Sequence, residues 1–135
     1  MAELEPDVRE LFEGPNYAHL ATTLRDGSPH TVPIWAGVED GRIVFFTQES
    51  SQKARNLARD PRVAVSVTDF ERPYRSAWVC GHIAATREGD AALEVIDRLS
   101  RKYTGEPFPM RAGTVYEIEP ERQRFADLPF THAPS

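Results

Sequence analysis

The sequence has little of what several functional classes depend on. Its single cysteine, Cys80, excludes an internal disulfide, and no apolar run reaches the ~20 residues that a membrane-spanning helix needs. The chain carries 16 Lys and Arg residues against 21 Asp and Glu, a formal net charge of −5. Because nucleic acids and anionic membranes attract a surplus of basic side chains, we expect neither as a partner. Any basic site has to be local.

Residues that usually carry catalysis or bind metals are also sparse. Cys80 has no activating neighbour in the sequence, which predicts a buried, inert thiol. Glu117 and Glu119 fall on the same face of a predicted strand, and we expect this pair to face solvent. Metal ligands usually have a paired spacing, which is missing from the four histidines, His19, His30, His82 and His132. We therefore predict neither a metal site nor a catalytic side chain.

The length and composition fit one globular domain. At 135 residues and 40% hydrophobic composition, the chain is long enough to bury a single core. We predict one domain over residues 1–135, with an N-terminal helix in residues 1–14 and a C-terminal tail in residues 126–135. Residues 1–7 are acidic and lack the apolar segment of a signal peptide, so a cytoplasmic location is expected.

The apolar pattern predicts a mainly β protein with inserted helices. Two helices are predicted after the first strands: helix-forming residues fill Gln52–Arg59, and apolar residues recur at helical spacing in Glu88–Tyr103. A parallel sheet would need a crossover helix after nearly every strand, so the pattern favours a small antiparallel barrel. Pro33 has no N–H for a ladder and is expected at an edge or bulge. The predicted strands are Tyr17–Leu24, His30–Ala36, Arg42–Thr47, Val63–Val67, Trp78–Thr86 and Thr114–Ile118, the last with a continuation to Phe125 left open.

The stretch TQESSQKARNLARDPRV gathers basic residues at one bend of an acidic chain. Ser50 or Ser51 is a good N-cap for the helix that follows. A helix N-terminus has free N–H groups and partial positive charge, and Lys53 adds a full charge, so this segment is a candidate phosphate site. Arg55 and Arg59 are placed to reach a longer anionic tail. A solvated basic helix without a ligand is the alternative interpretation.

The order of three segments resembles the pyridoxamine-phosphate-oxidase-like split-barrel flavoproteins. The segments are HLATTLRDGSPHTVPIW, GRIVFFTQESSQKARNLARDPRVAVSV and AWVCGHIAA, which together cover most of the predicted barrel. The run around Lys53, together with RKYTGEP, is most similar to the branch that uses the deazaflavin coenzyme F-420. The resemblance implies a six-stranded antiparallel split β-barrel, and a homodimer with two cofactor sites at its interface.

The resemblance also implies roles for individual residues. Lys53 would hold the cofactor phosphate, assisted by Thr47, Ser51 and Gln52, with Asn56 near the tail. The strand containing Pro33, Ile34 and Trp35 would lie against the cofactor ring, and Trp78 and Val79 would line the partner's pocket. The basic residues that FMN oxidases of this family place in the second strand are absent from HTVPIW, which disfavours pyridoxamine-phosphate oxidation and leaves FMN binding open.

Three hypotheses for function follow. The first is an F-420-dependent reductase that transfers hydride to a conjugated small organic substrate, since such an enzyme needs no catalytic acid or nucleophile from the protein. The second is an FMN-dependent oxidoreductase of the same family. The third is a non-catalytic protein that binds a cofactor or haem. The aromatic residues Trp35, Phe46, Tyr74 and Trp78 are candidates for either pocket walls or ordinary core and interface.

Overall fold

The computed structural model describes residues 3–134 of the chain. Met1, Ala2 and Ser135, which belong to the predicted N-terminal and C-terminal segments, lie outside the described residues. The described elements, in chain order, are α1 (Pro6–Glu13), β1 (Ala18–Thr23), β2 (Pro29–Ile34), β3 (Gly37–Glu39), β4 (Arg42–Thr47), α2 (Gln52–Arg59), β5 (Arg62–Thr68), β6 (Arg75–Arg87), α3 (Gly89–Thr104) and β7 (Thr114–Asp127).

The strands form one antiparallel sheet in the order β2-β1-β5-β6-β7-β4-β3. Its two edge strands, β2 and β3, are consecutive in the chain and are joined only by Trp35 and Ala36. The sheet must therefore curl until its edges approach each other. No backbone ladder connects β2 to β3 in residues 3–134, so the barrel is split along this line. We call the Trp35–Ala36 link the seam.

Two apolar cores lie on opposite faces of β4. Ile43 and Phe45 point into the barrel core, whose open end is covered by Val8, Leu11 and Phe12 of α1. Val44 points the other way, into a smaller cluster beneath α3. The strand is thus buried on both faces, as its continuous apolar run Ile43–Phe46 is typical of.

Most predicted elements are present, and the antiparallel split barrel is confirmed with one strand more than expected. The predicted strand His30–Ala36 ends at Ile34, and a separate three-residue strand, β3, follows the seam. The apolar pattern does not reveal β3 as a separate strand, because β3 has only three residues and begins two residues after the end of β2. None of the helices in residues 3–134 combines the length and apolar character needed to cross a membrane.

Two burial predictions are wrong. Glu117 does not face solvent: it is 8% exposed, and its carboxylate accepts hydrogen bonds from Arg42 at 3.1 Å and Arg87 at 2.9 Å. These arginines come from the two strands that flank β7, which the spacing within β7 alone does not reveal. Cys80 is half-buried instead of buried. Gly81 beside it has no room for a side chain, since a Cβ there would lie 2.1 Å from the carbonyl oxygen of Glu119.

Candidate cofactor site

A cleft of about 350 Å³ opens at the seam. It lies where β2, β4 and the first turn of α2 meet. Three of its residues, Pro33, Ile34 and Trp35, are consecutive at the end of the edge strand β2. The full lining consists of Tyr17, Pro33, Ile34, Trp35, Phe46, Lys53 and Phe108.

Aromatic rings form the apolar walls of the cleft. Trp35 contacts Phe46 and Phe108 edge to face, with centroids 6.2 Å away from its own in both cases. Phe46 and Phe108 contact each other in the same manner at 5.0 Å. Such edge-to-face arrangements are the favoured packing of aromatic rings. The walls therefore suit a flat, conjugated ligand.

The first turn of α2 forms the polar end of the site. Ser51 is the N-cap, and its hydroxyl oxygen accepts a hydrogen bond from the Ala54 N–H at 3.1 Å and another from the Thr47 hydroxyl at 2.8 Å. Within residues 3–134, the Ser51 hydroxyl donates no hydrogen bond of its own. The N–H groups of Gln52 and Lys53 have no partner within the helix, as at any helix start. Several donors thus converge here.

Lys53 supplies the charge of the cleft. Its side chain is half-buried, and burial lowers the pKa of its amino group from the ordinary value. Within residues 3–134, no carboxylate lies within 4.0 Å of this amino group, and it makes no hydrogen bond to the protein. A partly desolvated ammonium without a counter-charge is unfavourable by itself. It becomes favourable when an anionic ligand supplies the missing charge.

A second, more polar groove of about 490 Å³ lies on the other side of the α2 start. Arg55 donates to the Gln52 side chain at 2.8 Å, and Arg59 donates to Asn56 at 2.8 Å, which leaves each guanidinium with further free donors. One carboxylate lines the groove, that of Asp26, whose pKa is lowered by hydrogen bonds from Ser28. The groove is lined by Leu24, Arg25, Asp26, Gln52, Arg55 and Arg59. We call it the basic groove.

The structure places eight of the ten predicted site residues in three groups at or near the cleft. Pro33, Ile34, Trp35 and Lys53 line the cleft, and Thr47, Ser51 and Gln52 form the start of α2 beside it. Asn56 is fully buried and bridges Gln52, Arg59 and the hydroxyl of Thr22, so its amide orients neighbouring side chains.

Trp78 and Val79 lie away from the cleft, on β6. Trp78 is 42% exposed, and its role against a partner stays a prediction. Val79 is fully buried in the barrel core, so its side chain is not accessible to a partner subunit. Tyr74, another candidate aromatic, packs on Phe130 and His132 of the C-terminal segment and does not line the cleft.

Three aromatic residues of the site were not predicted from the sequence. Tyr17 and Phe108 line the cleft, and Tyr103 stacks on Trp35 with ring centroids 5.4 Å apart. Tyr17 was assigned to the start of a strand and Tyr103 to a helix face, and Phe108 follows that helix in a loop. The apolar pattern gives no signal that these distant segments meet at the seam.

The cleft contains no group suited to acid–base or nucleophilic catalysis apart from the Tyr17 phenol and the Lys53 amine. Its lining has no carboxylate, histidine or cysteine. In residues 3–134, no group of three or more His, Cys, Asp or Glu side chains could hold a metal ion. Aromatic walls and one amino group are therefore what the cleft offers to a ligand.

Comparison with known proteins agrees with this geometry. Pyridoxine/pyridoxamine 5'-phosphate oxidase of Bacteroides thetaiotaomicron is 27% identical over 126 residues, covering 91% of this chain and 53% of that protein. The enzyme of the same name from Pseudomonas paraeruginosa is 34% identical over 84 residues, covering 60% of this chain and 39% of that protein. The chain thus spans about half the length, or less, of these curated relatives.

Solved structures share the fold over most of the chain. An F420 reductase has a TM-score of 0.78 and 28% identity, covering 90% of this chain and 98% of that one. A conserved hypothetical protein of Mycobacterium tuberculosis has a TM-score of 0.79 and 27% identity, covering 100% of this chain and 94% of that one. The family model described as pyridoxamine 5'-phosphate oxidase matches residues 4–127. With a split barrel and an edge-strand cleft in place, the chain belongs to the pyridoxamine 5'-phosphate oxidase family of oxidoreductases.

Proposed function

We propose that this protein is an F-420-dependent oxidoreductase that binds the deazaflavin in the cleft at the seam. The observation that carries the proposal is Lys53, a half-buried ammonium without a carboxylate partner in residues 3–134, at the polar end of an aromatic cleft. The likeness to an F420 reductase over 98% of that chain supports the choice of cofactor.

The residues present fit such a cofactor. Lys53, the Ser51 hydroxyl and the free N–H groups at the start of α2 would bind its phosphate, because a helix N-terminus with an added cation favours an anion. The backbone of Pro33 and Ile34 on the edge strand would face its ring system, and Trp35 would limit access of water. Pro33 has no N–H to offer, so the donors on this edge come from its neighbours.

A cleft lining without a carboxylate, histidine or cysteine is compatible with this chemistry. When bound, the deazaflavin supplies hydride transfer. The role of the chain is then to orient the ring, neutralise the phosphate and exclude water with Trp35, Phe46 and Phe108. The proton that accompanies the hydride comes from solvent. A flat conjugated organic compound is the substrate class that suits the aromatic walls.

The basic groove is the feature that favours F-420 over FMN. FMN has one phosphate group and no further anionic chain, whereas F-420 extends beyond its phosphate with a polyglutamyl tail. Arg55 and Arg59 lie one and two turns beyond the phosphate-binding end, on the groove side of α2. Their free donors are suited to the carboxylates of such a tail.

An FMN-dependent oxidoreductase is the second candidate. It is favoured by the two curated relatives, both of them pyridoxine/pyridoxamine 5'-phosphate oxidases. The phosphate-binding end serves either cofactor equally well. Protein purified yellow, with a flavin spectrum and one FMN per chain, would select this candidate and exclude the first.

We also propose that the protein is a homodimer. The cleft lies at an open edge of the barrel, and a shallow groove of nearly apolar surface runs along β5, β6 and β7 on the outside, with Trp78 in it. Trp78 is a large apolar side chain that is 42% exposed and that a second copy would cover, and closed twofold symmetry is the commonest arrangement of identical chains.

Replacement of Lys53 tests the site. Lys53→Ala removes a charge-assisted hydrogen bond worth roughly 1.5–3 kcal/mol, so we expect binding of F-420 to weaken by about 10- to 150-fold. The measurement is a fluorescence titration of each protein with F-420 and, separately, with FMN. Stability should change by no more than about 0.5 kcal/mol, as for surface substitutions in general.

Arg62→Ala is the matched control, because it removes an equal charge near the other end of α2. Arg62 is paired with Asp60 at 2.7 Å and lines neither the cleft nor the basic groove. Its loss should leave both titrations unchanged. Equal affinity of Lys53→Ala and wild type for the tighter ligand would refute the proposed site.

A further inference from the structure

Two adjacent residues near the end of α3, Lys102 and Tyr103, form side-chain hydrogen bonds to Ala36 in the seam. The Lys102 ammonium donates to the carbonyl oxygen of Phe12 at 3.1 Å and to that of Ala36. The Tyr103 hydroxyl donates to the carbonyl of Asn16 at 2.6 Å and accepts from the Ala36 N–H at 3.1 Å. Lys102 thus ties Ala36 to the last turn of α1, and Tyr103 ties it to the segment that joins α1 to β1.

The ring of Tyr103 is part of the same arrangement. It stacks on Trp35 at 5.4 Å with 8° between the ring planes, and on Tyr17 at 5.8 Å with 24°. Trp35 and Tyr17 are both walls of the cleft. Tyr103 itself does not line the cleft, so its contact with these two walls is on their far side. A shift of its ring would move both.

Stability alone is a poor explanation for the lysine. Burial of Lys102 lowers the pKa of its amino group to about 8, although Glu13 opposes the shift. A group whose pKa falls on folding costs stability when it is charged, since the unfolded chain holds the proton more tightly. A methionine would fill the same space without that cost but would donate no hydrogen bond to the carbonyl oxygens of Phe12 and Ala36, so these two bonds are what the lysine specifically provides.

We infer that Lys102 and Tyr103 are positioning residues for the cofactor cleft. By fixing Ala36 from two sides they set the direction in which Trp35 leaves β2, and the Tyr103 ring then sets the spacing of Trp35 from Tyr17. The inference rests on the proposed function for the identity of the ligand, but the effect on Trp35 needs no ligand.

The surroundings of Lys102 make the arrangement dependent on pH. A cavity of about 160 Å³ beside it is lined by three other charged side chains, Glu13, Glu39 and Arg98. Glu39 is engaged by Arg98 at 2.7 Å, which leaves Glu13 as the carboxylate that opposes deprotonation. Between pH 8 and 10.5, loss of the Lys102 proton should raise stability relative to neutral pH. The same loss of charge should weaken the hydrogen bond from Lys102 to the carbonyl oxygen of Ala36. As the pH rises, the free energy of unfolding should therefore increase while Ala36 is held less firmly.

Fluorescence of Trp35 tests the inference without ligand. Trp78→Phe leaves Trp35 as the reporter, because the chain has two tryptophans. In this background we expect Trp35 emission to change between pH 6.5 and 9.5 with a midpoint near 8, and the change to disappear in Lys102→Met. Lys53→Ala, which removes the other lysine near Trp35, should leave the transition in place.

Cofactor binding provides the second measurement. Lys102→Met and Tyr103→Phe should weaken binding of F-420, or of FMN if that is the tighter ligand, by about 2- to 30-fold, the range for residues that act on a site through others. Lys102→Met should not lower the melting temperature. Arg101→Met, an exposed neighbour on α3, is the control and should change neither binding nor Trp35 emission.

The outcomes separate this inference from the proposed function. A missing Trp35 transition, or one that persists in Lys102→Met, overturns the positioning role even if F-420 binds. Binding losses that merely follow a loss of stability overturn it as well. A transition that depends on Lys102 in a protein that binds neither F-420 nor FMN supports the positioning role and refutes the proposed cofactor.

Discussion

Glu117 shows how one carboxylate is kept charged between strands. Burial pushes the pKa of Glu117 upward, but hydrogen bonds from Arg87 and Arg42 outweigh it, so the pKa lies below the ordinary value of 4.5. A carboxylate with a lowered pKa contributes stability that is present above its unfolded pKa and lost as the pH falls through its folded pKa. Glu117 therefore stabilises the sheet at neutral pH and loses this effect in acid.

Replacement of Glu117 gives a pH-dependent prediction. Glu117→Gln should lower the free energy of unfolding by about 1–3 kcal/mol at pH 7, because two buried charge-assisted hydrogen bonds are weakened. The difference from wild type should begin to shrink as the pH falls below 4.5, where the unfolded chain takes up the proton, and should be lost below the lowered pKa of folded Glu117. Urea unfolding at pH 7 and pH 4 measures both effects.

Glu119→Gln is the control for this prediction. Glu119 accepts one hydrogen bond, from Arg42 at 3.2 Å, whereas Glu117 accepts two. We expect a smaller loss, about 1 kcal/mol, because only one hydrogen bond is weakened. A Glu117→Gln protein with a constant deficit from pH 7 to pH 4 would contradict the role of the charge.

At the residue scale, the sequence predicted the parts of the site that are local. Ser51, Gln52 and Lys53 could be found because an N-cap and a cation at a helix start are adjacent in the chain. Tyr17 and Phe108 could not, because each meets Trp35 only after the sheet has curled. The burial of Glu117 was missed for the same reason, since its arginines belong to other strands.

Helix α2 connects the cleft to the basic groove. Asn56 accepts hydrogen bonds from Gln52 and Arg59 and donates to Thr22 of β1 at 2.9 Å, so the helix is fixed to the barrel in one orientation. This orientation directs Lys53 to one side and Arg55 and Arg59 to the other. A ligand bound at the helix start can thus contact both sides only if it carries anionic groups beyond its phosphate.

Removal of the two arginine charges tests this division. Arg55→Gln with Arg59→Gln should weaken F-420 binding by about 2- to 5-fold for each residue, as expected for exposed ion pairs. FMN binding should stay within experimental error, since FMN has no tail to lose. Both affinities come from the same fluorescence titrations, repeated at low and high salt because exposed pairs are screened.

Arg62→Gln serves as the control, since its guanidinium is engaged by Asp60 outside the groove. Equal losses of F-420 and FMN affinity in the double variant would mean that the arginines act on the phosphate, and the tail-binding role of the groove would be wrong.

At the element scale, long and strongly patterned segments were predictable and short ones were not. The bounds of β4 and α2 were predicted to the residue, because turn signals and an N-cap flank them. The three-residue β3 has no room for an apolar alternation of its own. β6 extends three residues before the predicted start at Trp78, because Arg75, Ser76 and Ala77 pair with β7 despite their mixed character.

At the scale of the whole molecule, the main feature is a curled sheet. In residues 3–134 its two edge strands, β2 and β3, form no backbone ladder with each other. At the seam the chain passes from β2 to β3 through Trp35 and Ala36, so an edge with free backbone groups faces the cleft. Edge strands of this kind readily take up a ligand or another chain. The gap between β2 and β3 thus creates the cleft. It also leaves Ala36 without a strand partner, and Lys102 and Tyr103 bind its backbone groups instead.

The proposed homodimer gives the prediction at this scale. The groove along β5, β6 and β7 exposes Trp78 at 42% of its surface on a nearly apolar strip. If a second copy covers it, the sedimenting mass at micromolar concentration should be about twice 15.2 kDa. Trp78→Glu should return it to a single chain, because it removes the largest apolar side chain of the groove and puts a charged group that must be desolvated in its place.

Met110→Glu is the matched control: Met110 is 52% exposed but does not line this groove, and its replacement should leave the dimer intact. F-420 binding by the Trp78→Glu protein then tests whether each cofactor site is formed by two chains. In a shared site, the Trp78→Glu monomer should lose F-420 affinity even though Trp78 lies away from the cleft of its own chain. A stable monomer that binds F-420 as tightly as wild type would show that each barrel binds its cofactor alone.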